Sequence, residues 1–261
     1  MLVTIDVGNT NITVGIFDQD KLVANFRLTT DRKRTSDEFV AAFHSLFLTK
    51  SLEVARVSGV VVSSVVPKIM HSLNNAIAKL FNIEPLIVGP GIKTGISIRT
   101  ENPREVGADR IVALVAGHHL YKGPLIVIDF GTATTYDYIN ANGEFEFGLT
   151  APGIETAANA LWTNAAKLPE IEIKKPDSVR CKNTITSMQG GLIFGYIGQT
   201  EYIITKIKES AGDACVVATG GLGSIICDET DMINIYDREL AFKGMKLIYE
   251  KNSELRTQVK D

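Results

Sequence analysis

Cysteine is scarce in this chain of 261 residues, and long apolar runs are missing. The three cysteines, Cys181, Cys215 and Cys227, are odd in number and form no C-x-x-C pair, which argues against a disulfide framework or a zinc site. No apolar run reaches about 18 residues, and the N-terminus meets Asp6 without a basic segment. Neither a membrane span nor a signal peptide is therefore expected, and we predict a cytoplasmic protein that does not bind membranes.

An excess of basic charge is also missing. With 27 basic and 30 acidic side chains, the formal net charge is −3. This balance argues against a nucleic-acid-binding protein, which needs a broad basic face, but it still allows a small anionic substrate. Hydrophobic residues at 45% and charged residues at 22% are ordinary globular values, so a disordered or fibrous chain is not expected. The length allows one large domain or two small ones.

The most informative feature that is present is a long internal repeat. An apolar strand that ends in Asp-x-Gly occurs twice, once at the N-terminus and once near the middle of the chain. The aspartates of the two copies, Asp6 and Asp129, lie 123 residues apart. Two more strand-like segments follow each tip, which indicates a β-meander. The remaining pattern predicts helices over 36–49, 67–81, 190–210 and 238–250, and a further helix that begins near residue 111. It predicts strands over 57–62, 85–88, 214–218 and 233–236.

The spacing of this repeat is too long for a solenoid. It predicts an α/β protein of two similar domains, residues 1–117 and 118–250, followed by a polar tail over 251–261. The stretch 150–190 contains Pro152, Pro169 and Pro176 and is expected to be rich in loops. We expect it to line the active-site cleft and a dimer contact.

The first Asp-x-Gly tip has the composition of a phosphate site. Gly8 lets the backbone approach an anion, and Asn9, Thr10 and Asn11 add hydrogen-bond donors. A carboxylate at Asp6 can lie beside phosphate only if a cation separates them, so we expect Mg²⁺ held by Asp6, directly or through water. A plain hairpin tip explains the same residues, because Asn and Gly are common in turns.

The second tip is richer in hydroxyl groups. Residues 129–135 read Asp-Phe-Gly-Thr-Ala-Thr-Thr, so Gly131 and Thr132 can offer backbone and side-chain donors to an anion. Threonine is also a good strand residue, and a pleated surface explains part of the pattern. The two tips together suggest a phosphate chain held by both halves.

Two further segments each have a functional and a structural interpretation. Gly220 and Gly221 lie between a strand and a helix, where they suit the approach of a flat ring such as adenine, but a tight turn has the same requirement. Asp109 and Arg110 open an apolar helix, where they suit a general base and an anion clamp. Asp is equally favoured at a helix N-terminus by capping and by the helix dipole.

Taken together, these segments resemble the type III pantothenate kinase family, of the actin, hexokinase and Hsp70-like ATPase superfamily. The motifs that carry the resemblance are Asp6-Val7-Gly8-Asn9-Thr10, Gly107-Ala108-Asp109-Arg110, Asp129-Phe130-Gly131-Thr132-Ala133-Thr134-Thr135, Pro152-Gly153 and Lys182-Asn183-Thr184. Each motif alone is weak. Five of them in order over residues 1–250 are specific.

The resemblance implies ATP-dependent phosphorylation of the terminal hydroxyl of pantothenate, the first step of coenzyme A biosynthesis, by a homodimer. It implies two ribonuclease H-like (actin-like ATPase) domains, each a mixed five-stranded sheet with helices, and an active site in the cleft between them. A kinase for another hydroxyl substrate and a non-catalytic binding or regulatory relative are the alternatives. The presence of Asp6, Asp109 and Asp129 together argues against the binding relative.

The resemblance also implies roles for individual residues. Asp109 is the general base, Asp129 holds a monovalent cation (K⁺ or NH₄⁺), and Thr132 contacts ATP. The residues implied at the ATP phosphates are Asp6, Val7, Gly8, Asn9, Thr10, Asn11, Ile12 and Thr13, with Gly131 at the second tip and Gly220 and Gly221 near the adenosine. The residues implied at pantothenate are Gly107, Ala108, Asp109, Arg110 and Thr184.

Some positions depart from the family pattern. Thr100 stands where many members have a tyrosine near pantothenate, and Ala113 stands where an asparagine is common. Leu149 stands where a glycine usually precedes the Pro-Gly segment, and Cys181 stands near a usual glycine. None of these departures removes a proposed catalytic group, but the first two bear on substrate affinity.

Overall fold

The computed structural model describes residues 1–258, with side chains as far as residue 253. The strands are β1 (Leu2–Val7), β2 (Asn11–Asp18), β3 (Lys21–Thr29), β4 (Gly59–Ser64), β5 (Leu86–Ile87), β6 (Ser97–Ile98), β7 (Leu125–Phe130), β8 (Ala133–Ile139), β9 (Glu144–Pro152), β10 (Cys215–Thr219) and β11 (Ile235–Tyr236). The helices are α1 (Ser36–Thr49), α2 (Met70–Phe81), α3 (Ala108–Tyr121), α4 (Ile154–Asn164), α5 (Thr184–Ala211), α6 (Gly223–Cys227) and α7 (Leu240–Gln258). Over residues 1–258, no helix has the combined length and apolar character that a bilayer crossing requires.

The chain forms two compact units. The first contains residues 1–95 and 102–116 together with α7, and the second contains residues 96–101 and 117–239. The first sheet has the strand order β3-β2-β1-β4-β5, and the second has the order β11-β10-β7-β8-β9-β6. Each sheet therefore has an antiparallel meander of three strands followed by two parallel strands on the far side of the first. This shared order confirms the predicted α/β class and the duplication.

The core of the first unit follows from the alternation in β1. Val3 and Ile5 point to the same face of the sheet and are almost fully buried, and they belong to one apolar cluster with Phe39 and Phe43 of α1. A capping box starts α1, since the Thr35 Oγ1 accepts a hydrogen bond from the backbone of residue 38, 3.3 Å away. The helix thus begins where the apolar periodicity begins.

The core of the second unit is built around the long helix α5. Asn183 caps this helix, because its Oδ1 accepts from the Thr186 backbone N–H at 2.9 Å. The Tyr136 hydroxyl on β8 is fully buried and pairs with the Thr200 hydroxyl of α5 at 3.1 Å. A buried phenol needs such a partner, so this contact fixes α5 against the sheet.

The second sheet has six strands where five are predicted. The extra strand, β6, pairs in parallel with the start of β9, where Ser97 lies opposite Glu144. The Arg99 guanidinium also donates to the Glu144 carboxylate at 2.8 Å. Unlike the equally short β5 and β11, β6 does not lie in an apolar run, so the sequence pattern did not indicate it.

The last helix also differs from the prediction. It is longer than 238–250, and residues 251–258 of the predicted polar tail are helical, while residues 259–261 lie outside the described part. It contacts β1 and β4 of the first unit instead of completing the second half. Two glycines show how closely α7 packs against its neighbours. A Cβ at Gly15 of β2 would lie 2.9 Å from the Phe242 ring of α7, and a Cβ at Gly244 of α7 would overlap the Val112 carbonyl of α3.

The stretch 150–190 is less irregular than its prolines suggest, because it contains α4 and the first turns of α5. The apolar spacing at Ile154 and Ala158 marks the inner face of α4, and both side chains are buried. The irregular part, residues 165–183, is anchored where Gln189 donates to the Glu172 carbonyl at 2.9 Å.

Candidate functional site

The first tip is a closed turn between β1 and β2. The Gly8 N–H donates to the Asn11 carbonyl at 3.0 Å, and the Thr30 hydroxyl donates to the Gly8 carbonyl at 2.7 Å. Asn9 and Thr10 are exposed at its end. Fixed backbone and exposed polar side chains are what a small anion site needs, because little order has to be created on binding.

The other implied phosphate residues lie behind this turn. Val7 and Ile12 are fully buried, so only their backbone groups can reach a ligand. Thr13 lies opposite Asp6 in the strand register and is half-buried. Directly opposed residues of neighbouring strands point to the same face, so Thr13 and Asp6 share one.

Asp6 is the unusual carboxyl group of the first unit. Its Oδ1 atom is buried and has no hydrogen-bond partner within the described residues. Burial, and secondarily the nearby Asp109 carboxylate, raise the pKa of Asp6 to about 7. A buried carboxyl near a second carboxyl is costly to ionise unless a cation is present. The Asp6 carboxylate would therefore be stabilised by a bound cation.

Asp109 lies in the first turn of α3, as predicted. Its Oδ1 accepts a hydrogen bond from the Arg110 backbone N–H at 2.8 Å, which satisfies one N–H group of the helix start. A Cβ at Gly107 would overlap this same oxygen, so the glycine makes room for the carboxylate. The structural interpretation, a carboxylate that satisfies an N–H group at the helix start, therefore accounts for one oxygen, and the same contact restricts the orientation of the side chain.

The shifted carboxyl pKa gives a pH prediction. The folded state keeps the Asp6 proton up to about pH 7, while the unfolded chain loses it near 3.8, so rising pH between these values destabilises the cation-free protein. We expect Asp6→Asn to be more stable than the parent by about 2–4 kcal/mol at pH 8 and by much less at pH 4.5. Urea unfolding at both pH values measures the difference, and a difference that does not change with pH would contradict the shift.

The second tip has the same place in its own sheet. Asp129 lies opposite Thr135 on β8 and Thr219 on β10, as Asp6 lies opposite Thr13 and Ser63. The Gly131 N–H donates to the Ala133 carbonyl at 3.2 Å and closes the turn. The structure thus repeats an aspartate between hydroxyl residues in both units.

The start of α4 packs against this second tip and holds it by hydrogen bonds. The sequence pattern did not predict this contact. The Thr132 carbonyl accepts from the Gly153 N–H at 3.0 Å and from the Thr156 hydroxyl at 2.7 Å. A Cβ at Gly153 would lie 2.5 Å from that carbonyl oxygen. The Pro152-Gly153 pair was the only sequence feature noted at this point. Gly153 lets the first turn of α4 lie in contact with the Thr132 carbonyl.

Gly220 comes to the same place from β10. Its φ is +99°, and a Cβ there would lie 2.5 Å from the Phe130 carbonyl and 2.7 Å from the Asp129 Oδ1. The Tyr236 hydroxyl donates to the Gly220 carbonyl at 2.6 Å. The tight-turn requirement therefore explains Gly220 by itself, and it also brings the Thr219-Gly220-Gly221 segment to the Asp129 tip.

The remaining implied residues are more scattered. Ala108 is buried and Arg110 is half-buried at the start of α3, whereas Thr184 is exposed at the first position of α5. No cluster of three or more His, Cys, Asp or Glu side chains that could hold a metal occurs in the described residues. Asp6 and Asp109 are only two carboxyl groups, so they do not form such a cluster of three.

Comparison with known proteins gives both a family and a fold. The type III pantothenate kinase family model matches residues 2–206. A type III pantothenate kinase from Agathobacter rectalis is 56% identical over 255 residues, which cover 97% of this chain and 98% of that protein.

Two solved structures agree at the level of the fold. A Baf family protein from Campylobacter jejuni has a TM-score of 0.61 and 20% identity, covering 97% of this chain and 99% of that one. The activator of 2-hydroxyisocaproyl-CoA dehydratase from Clostridium difficile, with bound ADPNP, has a TM-score of 0.59 and 11% identity, covering 100% of this chain and 98% of that one. These likenesses confirm the predicted actin-like ATPase fold and carry nothing about substrate.

The sequence match goes further than the fold. Identity of 56% along nearly the whole of both chains is far above that of the structural neighbours, and the family model independently spans residues 2–206. The resemblance drawn from the sequence is thereby confirmed, and this chain belongs to the type III pantothenate kinase family of enzymes.

Proposed function

We propose that this protein transfers the γ-phosphoryl group of ATP to the terminal hydroxyl of pantothenate, the first step of coenzyme A biosynthesis. The observation that carries the proposal is the carboxyl pair Asp6 and Asp109, which two distant segments bring together in the first unit. Phosphoryl transfer requires mainly positioning and charge stabilisation, with one group to accept the proton of the attacking hydroxyl. The pair can divide these tasks.

Asp109 is the residue proposed as general base. Its Oδ1 is held by the Arg110 N–H and seated by Gly107, so the carboxylate has one defined orientation. It accepts the proton of the substrate hydroxyl as that oxygen attacks the γ-phosphorus. The Arg110 guanidinium is proposed to bind the pantothenate carboxylate, because its planar fork of donors matches a carboxylate.

Asp6 is proposed to hold Mg²⁺, directly or through water. The residues fit that ion, because the Asp6 Oδ1 is buried without a partner and Mg²⁺ is usually bound by one or two carboxylates plus phosphate oxygens and water. When bound, Mg²⁺ neutralises phosphate charge. The turn Gly8–Asn11, with backbone groups of Val7, Ile12 and Thr13, is proposed to cradle the phosphates.

The second tip is proposed to hold the monovalent cation, K⁺ or NH₄⁺, at Asp129. Its Oδ1 lies beside Gly220, where any side chain would displace it. Gly131 and Thr132 are proposed to contact the ATP phosphates, and Gly220 and Gly221 the adenosine. Carboxylate and backbone oxygens are suitable ligands for such hard cations.

Pantothenate is proposed to be held by Gly107, Ala108, Arg110 and Thr184. The two family departures have different surroundings. Ala113 is buried within α3, whereas the Thr100 hydroxyl is buried and lacks a partner in the described residues. An unpartnered hydroxyl at Thr100 is available to a substrate polar group, which supports a role for this position in place of the usual tyrosine.

A homodimer is also proposed, through the outer face of α5. Gly191, Gly195 and Gly198 lie on one exposed face, and a Cβ at any of them would meet nothing within 4 Å. Ile185 and Tyr202 on the same helix are 51% and 65% exposed. Tyr202 follows Gly198 by one helical turn and continues this face, and a flat face of small residues beside a large exposed ring suits a second copy of the helix. Sedimentation at micromolar concentration tests it.

A coupled assay of ADP release tests the proposed reaction. Pantothenate should stimulate ATP turnover, and K⁺ or NH₄⁺ should be required when Na⁺ is the only other monovalent cation. A panel of other small alcohols and acids under the same conditions is the control. Stimulation by another alcohol alone would identify a different kinase, and no stimulation by any of them would favour a binding protein.

A further inference from the structure

A buried hydroxyl group lies next to Asp6 without a defined task. Ser63 is on β4, where it lies directly opposite Asp6 in the parallel register with β1. Its side chain is fully buried, and its Oγ has no hydrogen-bond partner within residues 1–258. An unpaired buried hydroxyl costs free energy, so packing alone does not account for a serine here.

The rest of β4 makes the serine conspicuous. Val60, Val61 and Val62 precede it and are all fully buried, so an apolar residue would continue the strand. The Asp6 Oδ1 opposite is also buried and unpartnered. The two groups are adjacent, but the contact between them lacks the geometry of a full hydrogen bond, which indicates a site whose hydrogen bonds are completed when it is loaded.

The second unit repeats the arrangement independently. Thr219 on β10 is the residue opposite Asp129 in the parallel register with β7, and it is 5% exposed. The two sheets have the same strand order, so Ser63 and Thr219 occupy corresponding positions. A hydroxyl residue beside the aspartate on the parallel neighbouring strand is therefore a property of both halves.

We propose that Ser63 is a positioning residue for Asp6: in the loaded site its hydroxyl donates to the buried Oδ1 and fixes the carboxylate so that its other oxygen faces the cation. This inference rests on the proposed nucleotide site at Asp6. The closeness of the two groups is supported by the effect of the Ser63 hydroxyl on the Asp6 carboxyl, whose pKa it lowers against the larger effect of burial.

The test compares Ser63→Ala with Ser64→Ala in the intact chain. Ser64 is the next residue, and its Oγ accepts from the Val66 N–H at 3.1 Å, so its loss controls for removal of a hydroxyl at the end of β4. Calorimetric titration with Mg²⁺ and a non-hydrolysable ATP analogue measures affinity without turnover. We expect Ser63→Ala to weaken binding about 5- to 20-fold and Ser64→Ala to change it less than twofold.

Further measurements on the same variants decide the proposal. The cation-free Ser63→Ala protein should melt no lower than the parent, because an unpaired buried hydroxyl is removed, and Ser63→Thr should recover most of the affinity. Unchanged affinity in Ser63→Ala, or an equal loss in Ser64→Ala, would overturn the positioning role while the proposed function stands. If the unmodified protein itself binds no Mg²⁺–nucleotide, the proposed function fails and this inference fails with it.

Discussion

Asp109→Asn is expected to lower kcat at least about 100-fold while ATP binding survives, because general-base assistance is typically worth ~10²–10⁴ in rate. Asparagine has nearly the same shape, and its carbonyl oxygen can still accept the Arg110 N–H, so the start of α3 should stay intact. What is lost is the ability to accept the substrate proton. Steady-state kinetics and nucleotide titration measure the two effects separately.

The matched control for this variant is Asp37→Asn. Asp37 also lies in the first turn of a helix of the first unit, α1, where it forms an exposed ion pair with Lys79 at 2.8 Å. Its loss removes the same charge from the same kind of helix position and should leave kcat unchanged, since exposed ion pairs contribute little. Near-normal turnover in Asp109→Asn would contradict the assignment of the base.

Gly220→Ala is expected to destabilise the protein strongly, although it adds only one methyl group. The backbone φ of +99° disfavours alanine, and the new Cβ would lie 2.5 Å from the Phe130 carbonyl and 2.7 Å from the Asp129 Oδ1. Strain of about 1–3 kcal/mol is expected from the backbone, with a similar cost from overlap with a fixed main chain. Urea unfolding measures the sum.

Gly212→Ala separates the two contributions. Gly212 ends α5 with a φ of +90°, and a Cβ there would meet nothing within 4 Å. This control should show the backbone strain alone, and Gly220→Ala should exceed it by at least about 1–3 kcal/mol. Because the overlap includes the Asp129 carboxylate, the K⁺ concentration needed for half-maximal activity should rise only in Gly220→Ala. Equal losses of stability in the two variants would contradict the predicted cost of overlap with the Phe130 carbonyl and the Asp129 carboxylate.

The sequence pattern was informative where one segment carries its own signal. The two meanders and the repeated Asp-x-Gly tips depend on local alternation and turn residues, which can be recognised within a few residues. The five family motifs were recognisable for the same reason. All of these concern elements that are adjacent in the chain.

Contacts between distant segments were not predictable in this way. The approach of Asp109 to Asp6, the pairing of β6 with β9 and the return of α7 to β1 all depend on tertiary packing, which overrides local pattern. Ser63 is an intermediate case. A hydroxyl residue that follows three buried valines was visible in the sequence, but only the strand register places it beside Asp6.

The return of α7 has a consequence for biosynthesis of the chain. In sequence, the second unit interrupts the first, because residues 117–239, which begin within α3, precede α7, the helix that contacts β1 and β4. During translation the side of β1 and β4 that α7 contacts must therefore stay uncovered until residues 240–258 have left the ribosome, although N-terminal domains usually fold first. A fragment that stops near residue 117 would expose that apolar surface permanently, so the two halves cannot be separated by one cut even though they share a topology.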